Sequence, residues 1–263
     1  YIVLSGDNKV FSPVHSICGL VAGEIAATLF SVATLHKDFC EFSISYQRLK
    51  EASKKMALFF IPLSLNYILI SVSSSIENLL LPKTLRIYGL SSSEALDIFG
   101  TLTGLALPVL LFPGVLCSCA CVLLLPSISE ANAAGKCSRV SSTISKSVIF
   151  GLCFGLTFTA IFYFMSDFIG GFLFSSKMCG YFLRRLCWLC PMMHISGMLC
   201  SILHGLGKAK HVLLINILTC SIRISMIVLL VPKAGIDAYL WSMLVSHVFM
   251  TISVLVLLRN VGC

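Results

Sequence analysis

Charged side chains are scarce in this sequence of 263 residues, in which Asp, Glu, Lys and Arg together contribute 11%. An ordinary soluble domain carries about 25% of these residues. Hydrophobic residues contribute 57%, and the mean hydropathy is +0.97. The shortage of charge excludes an ordinary soluble domain and predicts a polytopic membrane protein, for which the useful count is the number of apolar segments of about 20 residues.

The sequence also lacks the short motifs of many enzymes, namely GxSxG, HExxH and GxxxxGK[ST]. Among its 13 cysteines, Cys187 and Cys190 form a lone CxxC without the second pair or the histidines that a zinc site requires. It has no basic stripe with interleaved aromatic residues, which would indicate a nucleic-acid surface. We therefore expect a protein that is not an enzyme, with no cofactor, no bound metal and no nucleic-acid partner.

The N-terminus lacks a methionine, because the chain begins at Tyr1, and no basic segment with a cleavage site precedes the first apolar run. The last apolar segment is followed by only five residues, Arg259–Cys263. We therefore expect no removable signal peptide, and we expect the sequence to be a fragment of a longer protein.

Seven apolar segments are long enough to cross a bilayer, and they predict an all-α bundle of about seven transmembrane helices. They are Phe11–Leu35, Ala57–Ile76, Ile98–Leu125, Ser147–Met165, Leu186–Leu206, Val212–Val231 and Asp237–Leu258. The third contains Pro108 and Pro113, and the fifth contains Pro191. Because proline interrupts helical hydrogen bonding, we expect kinked or broken helices at these positions.

The distribution of Lys and Arg predicts how these segments cross the membrane. If the first runs from outside to inside, 11 basic residues lie on the inner side: Lys37, Arg48, Lys50, Lys54, Lys55, Lys136, Arg139, Lys146, Lys208, Lys210 and Arg259. Seven lie on the outer side: Lys9, Lys83, Arg86, Lys177, Arg184, Arg185 and Lys233. The excess inside favours this orientation. It also favours anionic membrane lipids as partners.

The longest charged stretch, His36–Met56, predicts an amphipathic cytoplasmic linker and a boundary between two halves of the protein. It contains Glu51 four residues before Lys55, a spacing that supports a helix. A solvated basic loop without a further role is the alternative interpretation.

Arg223 and Glu24 lie inside the apolar segments, where a charge costs several kcal/mol unless a partner or water relieves it. Arg223 lies in the middle of the sixth segment, and helical spacing places Asn216 and Thr219 on its face. This polar face predicts either a cavity lining or contact with another polar helix, and we favour the cavity. Glu24 lies in the first segment among small residues, which predicts either a buried, hydrogen-bonded group or a proton or cation site.

Further polar residues lie in the second segment and just beyond it. Asn66 lies deep in the segment, whereas Ser73–Asn78 makes its outer end polar, and Arg86 follows Pro82. A solvated helix end and the mouth of a cavity both explain residues 73–78 and Arg86. We keep both interpretations.

Several weak motifs occur in an order that resembles a known family. They are "LLLPKTL" with "GLS", "EAL" and "FG" after it, "LLLPSISEANAAGK", "LHGLGKAK" and "LLVPKAGIDA". Together they resemble the polysaccharide-biosynthesis flippases of the stage V sporulation protein B-like group, in the multidrug/oligosaccharidyl-lipid/polysaccharide exporter superfamily. The resemblance covers about Ala57 to the C-terminus well and Phe11–Leu35 more loosely.

The resemblance implies two six-helix lobes around a central cavity that opens alternately to the two sides of the membrane. Residues 1–36 would then be the last helix of the N-terminal lobe, 37–56 the interlobe linker and 57–263 the C-terminal six-helix lobe. The rest of the N-terminal lobe, which lies outside this sequence, is then an expected partner of the C-terminal lobe. In the family, cationic cavity residues are thought to hold the pyrophosphate of a lipid-linked sugar, a role that matches Arg223 and, less well, Arg86.

Three functions remain open from the sequence. The first is a flippase for a lipid-linked oligosaccharide or cell-wall precursor. This anionic lipid-linked substrate would be bound by Arg223, Asn216, Thr219, Arg86 and Asn66. The second is a cation-coupled small-molecule exporter of the same fold, with Glu24 as the coupling carboxylate. The third is a membrane scaffold that transports nothing. In each case we expect a multi-pass protein of the cytoplasmic membrane.

Overall fold

The structure, a computed structural model, describes residues 13–39 and 46–261, and each regular element within them is helical. This confirms the predicted all-α class. Two short π-helical segments, Leu102–Ala106 and Ile169–Leu173, interrupt the α-helices. In chain order the α-helices are α1 Pro13–Phe39, α2 Tyr46–Tyr88, α3 Ser92–Thr101, α4 Leu107–Leu111, α5 Gly114–Ala133, α6 Cys137–Phe168, α7 Lys177–Leu186, α8 Leu189–Gly205, α9 Ala209–Ala234 and α10 Ile236–Val261.

The described helices have the lengths and surfaces of a polytopic membrane bundle. Six helical stretches are long and apolar enough to cross a membrane, and the bent pair of α7 and α8 adds a seventh if it counts as one span. Large apolar side chains are displayed outward, as at Phe112 and Phe164, which are 77% and 79% exposed. Such outward-facing apolar side chains suit lipid rather than water.

The chain divides into two compact units between Lys55 and Met56. The predicted linker, His36–Met56, is largely helical, because its first residues end α1 and its last residues begin α2. Residues 40–45 lie outside the described part. The first unit contains a short apolar helical stretch, Val21–Thr34. The assignment of the units to two transporter lobes remains a prediction.

The second predicted segment is wrong at its outer end. Instead of ending at Ile76, the part of α2 that is long and apolar enough to cross a membrane covers Phe60–Tyr88. The polar residues 73–78 therefore lie near its middle, and Ser73 and Glu77 are buried. A window of mean hydropathy ends a segment at such residues, because it takes no account of the partners that neutralise them.

The third predicted segment is broken where its prolines predicted. A π-helical segment precedes α4, and Phe112 and Pro113 separate α4 from α5. Both linking residues keep right-handed helical backbone angles. By length, Ser92–Leu111 and Gly114–Ala133 could each cross a membrane. If these two stretches count as one broken span, the second unit has six candidate spans. Six spans are also the prediction for the C-terminal lobe.

Pro191 accompanies the other predicted kink, because α7 and α8 meet at an angle of 53°. Proline has no N–H to donate to the carbonyl four residues earlier, which here belongs to Cys187. The hydroxyl of Thr159 on α6 donates a hydrogen bond of 2.9 Å to this carbonyl oxygen. A neighbouring helix thus replaces part of the bonding that proline removes, which is how membrane helices tolerate proline.

Two of the recognised motifs form tight turns between helices. Gly135 in "ANAAGK" and Gly207 in "LHGLGKAK" have φ angles of +65° and +72°. The following lysines donate backbone hydrogen bonds to Ala131 and Leu203, five residues earlier. This is the Schellman helix end, which favours glycine because other residues are strained at positive φ.

Buried side chains of the second unit form two separate apolar clusters. On α9, Ile227 and Val231 belong to one cluster, whereas Val212 and Ile215 belong to the other. The residues between them, 216–226, therefore lie in a layer between the clusters. The predicted polar face of α9 falls in this layer.

The predicted orientation can be tested with two introduced cysteines. Lys177 is the first residue of α7, and Lys210 lies in the first turn of α9. Both side chains are exposed. In cells, we expect a membrane-impermeant thiol reagent to modify Lys177→Cys from outside and Lys210→Cys only after permeabilisation. Peptide mapping by mass spectrometry separates these sites from the native cysteines. The reverse labelling pattern would contradict the orientation, and Cys179 cannot serve because it is fully buried.

Candidate polar site between helices α2 and α9

Two buried amides make the first polar contact between α2 and α9. The Asn216 Nδ2 atom donates a hydrogen bond of 2.7 Å to Asn66 Oδ1. Both residues are 6% exposed. The contact joins positions 150 residues apart in the sequence. Because an unpaired amide is costly in an apolar interior, the contact stabilises this pairing of helices.

An ion pair makes the second contact. The Arg223 Nε atom donates to Glu77 Oε1 at 2.7 Å, and the two side chains are 16% and 7% exposed. The Ser73 hydroxyl, one turn earlier on α2, donates to the same carboxylate oxygen at 3.4 Å. The partner of Arg223, in the middle of an apolar helix, is therefore Glu77.

The two contacts fix the relative direction of α2 and α9. Residue numbers increase from Asn66 to Glu77 on α2 and from Asn216 to Arg223 on α9, so the helices run parallel. Both contacts lie between the ends of their helices. This direction agrees with the predicted crossing pattern, in which the second and sixth segments cross the membrane the same way.

Helix α10 adds polar groups beside the ion pair. Tyr239 is 5% exposed and lies within electrostatic range of both Glu77 and Arg223. His247 lies within electrostatic range of Arg223. Its Nδ1 atom is buried and has no hydrogen-bond partner among the described residues. An orphaned buried nitrogen indicates a place where water or a ligand group could complete the bonding.

Of the other predicted site residues, one lies on the same face of α9 and the others take no part in these contacts. Thr219 is buried on the same face of α9, and its hydroxyl donates to the Ile215 carbonyl within the helix. Arg86 is exposed near the end of α2, away from the buried contacts. Glu24 lies on α1, in the first unit, and its side chain is exposed there. The structure thus pairs Asn66 with Asn216 and, separately, Arg223 with Glu77, with Thr219 on the same face of α9.

Glu77 is not among the residues that the sequence predicts for the site. The apolar run weakens at residues 73–78, which predicts a solvated helix end or a cavity mouth there. One signal could have identified it: Asn66, Ser73 and Glu77 are spaced by seven and four residues, so they share one helix face. A polar stripe on α2 then matches the polar stripe on α9.

The polar face of α9 is in contact with polar groups of α2, which is the second of the two interpretations open from the sequence. A cavity of about 1100 Å³ lies elsewhere, beside the start of α6 and the end of α10. Lys208 and Arg259 contribute to its lining, and the predicted binding residues do not.

The ion pair leaves most of the arginine free to bind a further group. A guanidinium has five N–H donors. Among the described residues, the side chain of Arg223 makes one hydrogen bond, through Nε. The two terminal nitrogens, which form the fork that matches a phosphate, are not used in this contact. The guanidinium therefore keeps donors that the described residues do not use.

Known proteins resemble this chain in sequence. Over 182 residues, 69% of this chain, the sequence is 27% identical to a protein described as "Sporulation protein YkvU" from Bacillus subtilis (strain 168). The match covers 41% of that relative. No solved structure matches the chain significantly. The sequence pattern of the MatE family, whose members are transporters of the exporter superfamily named above, matches residues 62–229. The chain belongs to the MatE family.

Proposed function

We propose that the protein is a flippase that moves a lipid-linked anionic substrate, such as a cell-wall or polysaccharide precursor, across the cytoplasmic membrane. The observation that carries the proposal is the partly buried Arg223, whose Nε is held by Glu77 while its terminal nitrogens make no hydrogen bond to the described residues. A substrate with a phosphate or pyrophosphate offers oxygens that fit this fork. The resemblance to the stage V sporulation protein B-like group supports the same substrate class.

The ion pair also suggests how substrate binding could couple to movement. An anionic substrate competes with Glu77 for Arg223, and its binding weakens a contact that holds α2 to α9. A ligand shifts a conformational equilibrium only if it binds the two states differently, and this competition provides such a difference. Asn66 and Asn216 would hold the helices together at a second level. The pyrophosphate would be bound by Arg223, with Arg86 as a second cation nearer the membrane surface.

A cation-coupled exporter is the second candidate, and a specific observation favours it. Glu77 is a buried carboxylate in a membrane helix, the residue type that marks proton and cation pathways. Glu24 remains the coupling carboxylate predicted from the sequence. In this alternative the transported compound would be a small molecule, and one of these carboxylates would bind the coupling ion.

Transport by the full-length protein in vesicles separates these functions. For the flippase, we expect a fluorescent polyprenyl-pyrophosphate sugar to become accessible to an impermeant quencher added outside, without an imposed ion gradient. The matched control is the same sugar on a neutral polyprenyl carrier, which should move much more slowly. Export of a cationic dye driven by a proton or sodium gradient, without movement of the lipid-linked sugar, would support the exporter instead. The absence of both activities would favour the membrane scaffold that transports nothing.

A further inference from the structure

A second site lies on the surface of the second unit, where the start of α10 meets the bend between α7 and α8. Here a groove of about 460 Å³ is lined by residues of these three helices. It contains none of the polar contacts between α2 and α9. Its lining changes from charged to aromatic to aliphatic along its length, an order that also describes one leaflet of a membrane.

The order is visible on both walls of the groove. On α10, Asp237, Trp241 and Val248 follow one another on one helix face, because they are four and seven residues apart. On the other wall, Arg185, Trp188 and Met192 repeat the sequence of charge, aromatic ring and aliphatic chain. The charged ends of the two walls therefore lie at the same end of the groove.

The length of the groove corresponds to one leaflet. Asp237 and Val248 are separated by 11 residues, which is about 16 Å at 1.5 Å per residue. Half of a hydrocarbon core about 30 Å thick is about 15 Å. Trp188 and Trp241 are 56% and 57% exposed beside the charged end. Exposed tryptophans of this kind are typical of the membrane interface.

The charged end presents one cation and one anion to a ligand. The guanidinium of Arg185 lies 5.5 Å from the centre of the Tyr181 ring. The hydroxyl of Tyr181 donates a hydrogen bond to Asp237. Tyr181 therefore holds these two charges side by side, and both are exposed. The neighbouring Arg184 is engaged differently, since it forms an ion pair of 3.0 Å with Asp167.

We propose that this groove binds one zwitterionic glycerophospholipid with a primary ammonium headgroup, phosphatidylethanolamine in chemical terms. The forked guanidinium of Arg185 binds the phosphate, and Asp237 accepts a hydrogen bond from the ammonium group through the carboxylate oxygen that Tyr181 leaves free. One acyl chain lies along Met192, Leu244 and Val248. The predicted orientation of the chain places this lipid in the outer leaflet.

The charge pattern of the groove distinguishes this lipid from the alternatives. An anionic glycerol headgroup would satisfy Arg185, but its uncharged hydroxyls would offer Asp237 no cation. A quaternary choline headgroup carries the right charge but has no N–H to donate to Asp237. A headgroup that supplies both a phosphate and a positively charged hydrogen-bond donor is complementary to both side chains.

The groove contains its own reporters, because the two tryptophans of this chain are Trp188 and Trp241. In phosphatidylcholine vesicles holding the protein, tryptophan fluorescence would be quenched by phospholipids brominated in their acyl chains. At equal mole fraction, we expect the brominated ethanolamine lipid to occupy the groove about two- to fivefold more than the choline or glycerol lipid, the range of a partly exposed ion pair. A variant with both tryptophans replaced by phenylalanine measures the background.

Substitutions at the charged end test each contact. We expect Asp237→Asn to remove the preference for the ethanolamine over the choline lipid, and Arg185→Gln to weaken binding of all three lipids. Arg184→Gln is the matched control, since it removes an adjacent arginine that is bound to Asp167. Circular dichroism and size-exclusion chromatography establish that each variant is folded.

The unsubstituted protein decides the proposal even if a variant fails to fold. Equal quenching by the three lipids would show annular contact only and would overturn the site. A preference for the glycerol lipid would overturn the zwitterionic assignment. The measurement involves no transport, so its outcome is independent of the proposed flippase activity.

Discussion

Replacing Arg223 with alanine is expected to abolish transport of the lipid-linked anionic substrate by the full-length protein. The substitution removes the cation proposed to bind the phosphate. It also leaves Glu77 buried without its partner, because Arg223 Nε donates to the carboxylate at 2.7 Å. Breaking a buried ion pair in this way costs about 3–5 kcal/mol in soluble proteins. We therefore expect less folded protein as well, measured by the monodisperse yield after purification.

A double substitution separates the two effects. In Arg223→Ala with Glu77→Gln, no buried charge remains unpaired, so we expect the yield of folded protein to recover. Transport should stay absent, because the binding cation is still missing. Arg223→Lys should retain part of the activity, since lysine keeps the charge but loses the fork. Arg139→Ala, which removes an exposed arginine at the start of α6, is the control for a general loss of positive charge.

Recovery of transport in the double variant would contradict the binding role. It would mean that Arg223 only neutralises Glu77 and that the ion pair is a structural contact between α2 and α9. Transport that is normal in Arg223→Ala would exclude both roles. Loss of transport in Glu77→Gln, with Arg223 retained, would support a role for the carboxylate and would favour the cation-coupled alternative.

The location of the site was predictable from the sequence because a permanent charge in an apolar segment is costly. Arg223 stands out for that reason, and helical spacing alone places Asn216 and Thr219 on its face. The break near Pro113 and the bend at Pro191 were predictable on equally local grounds, since each follows from the missing N–H of proline.

The partners of these residues were not predictable from the same signals. Glu77 and Arg223 are 146 residues apart, and Asn66 and Asn216 are 150 apart. Nothing in the local pattern of either helix specifies which other helix it meets. The weak hydropathy at residues 73–78 even suggested a helix end, because a sum over a window treats a neutralised glutamate and a solvated one alike. The pairing depends on tertiary packing, which buries both members of the pair together.

Glycine positions show the same distinction between local pattern and packing. Gly155 on α6 and Gly197 on α8 look alike in sequence, as single glycines within apolar helices. In the structure a Cβ atom built on Gly155 would lie 2.4 Å from the Pro191 Cα and 2.8 Å from its nitrogen, whereas one built on Gly197 meets no atom within 4 Å. Gly155 thus permits α6 to approach α8 at the bend, where Thr159 donates to the Cys187 carbonyl.

Gly155→Ala is therefore expected to destabilise the protein strongly, although alanine is the better helix former. The contacting atoms belong to the backbone of α8, so no side-chain rotation relieves the clash, and the two helices must separate at the Pro191 bend. Overpacking of this kind costs about 1–3 kcal/mol, and the Thr159 hydrogen bond would lengthen as well. Gly197→Ala is the matched control, and it should be neutral or stabilising by about 0.5–1 kcal/mol, because alanine loses less conformational entropy in a helix. Thermal unfolding of the purified full-length variants in one detergent measures the difference, and equal transition temperatures for the two would contradict the close packing of α6 on α8.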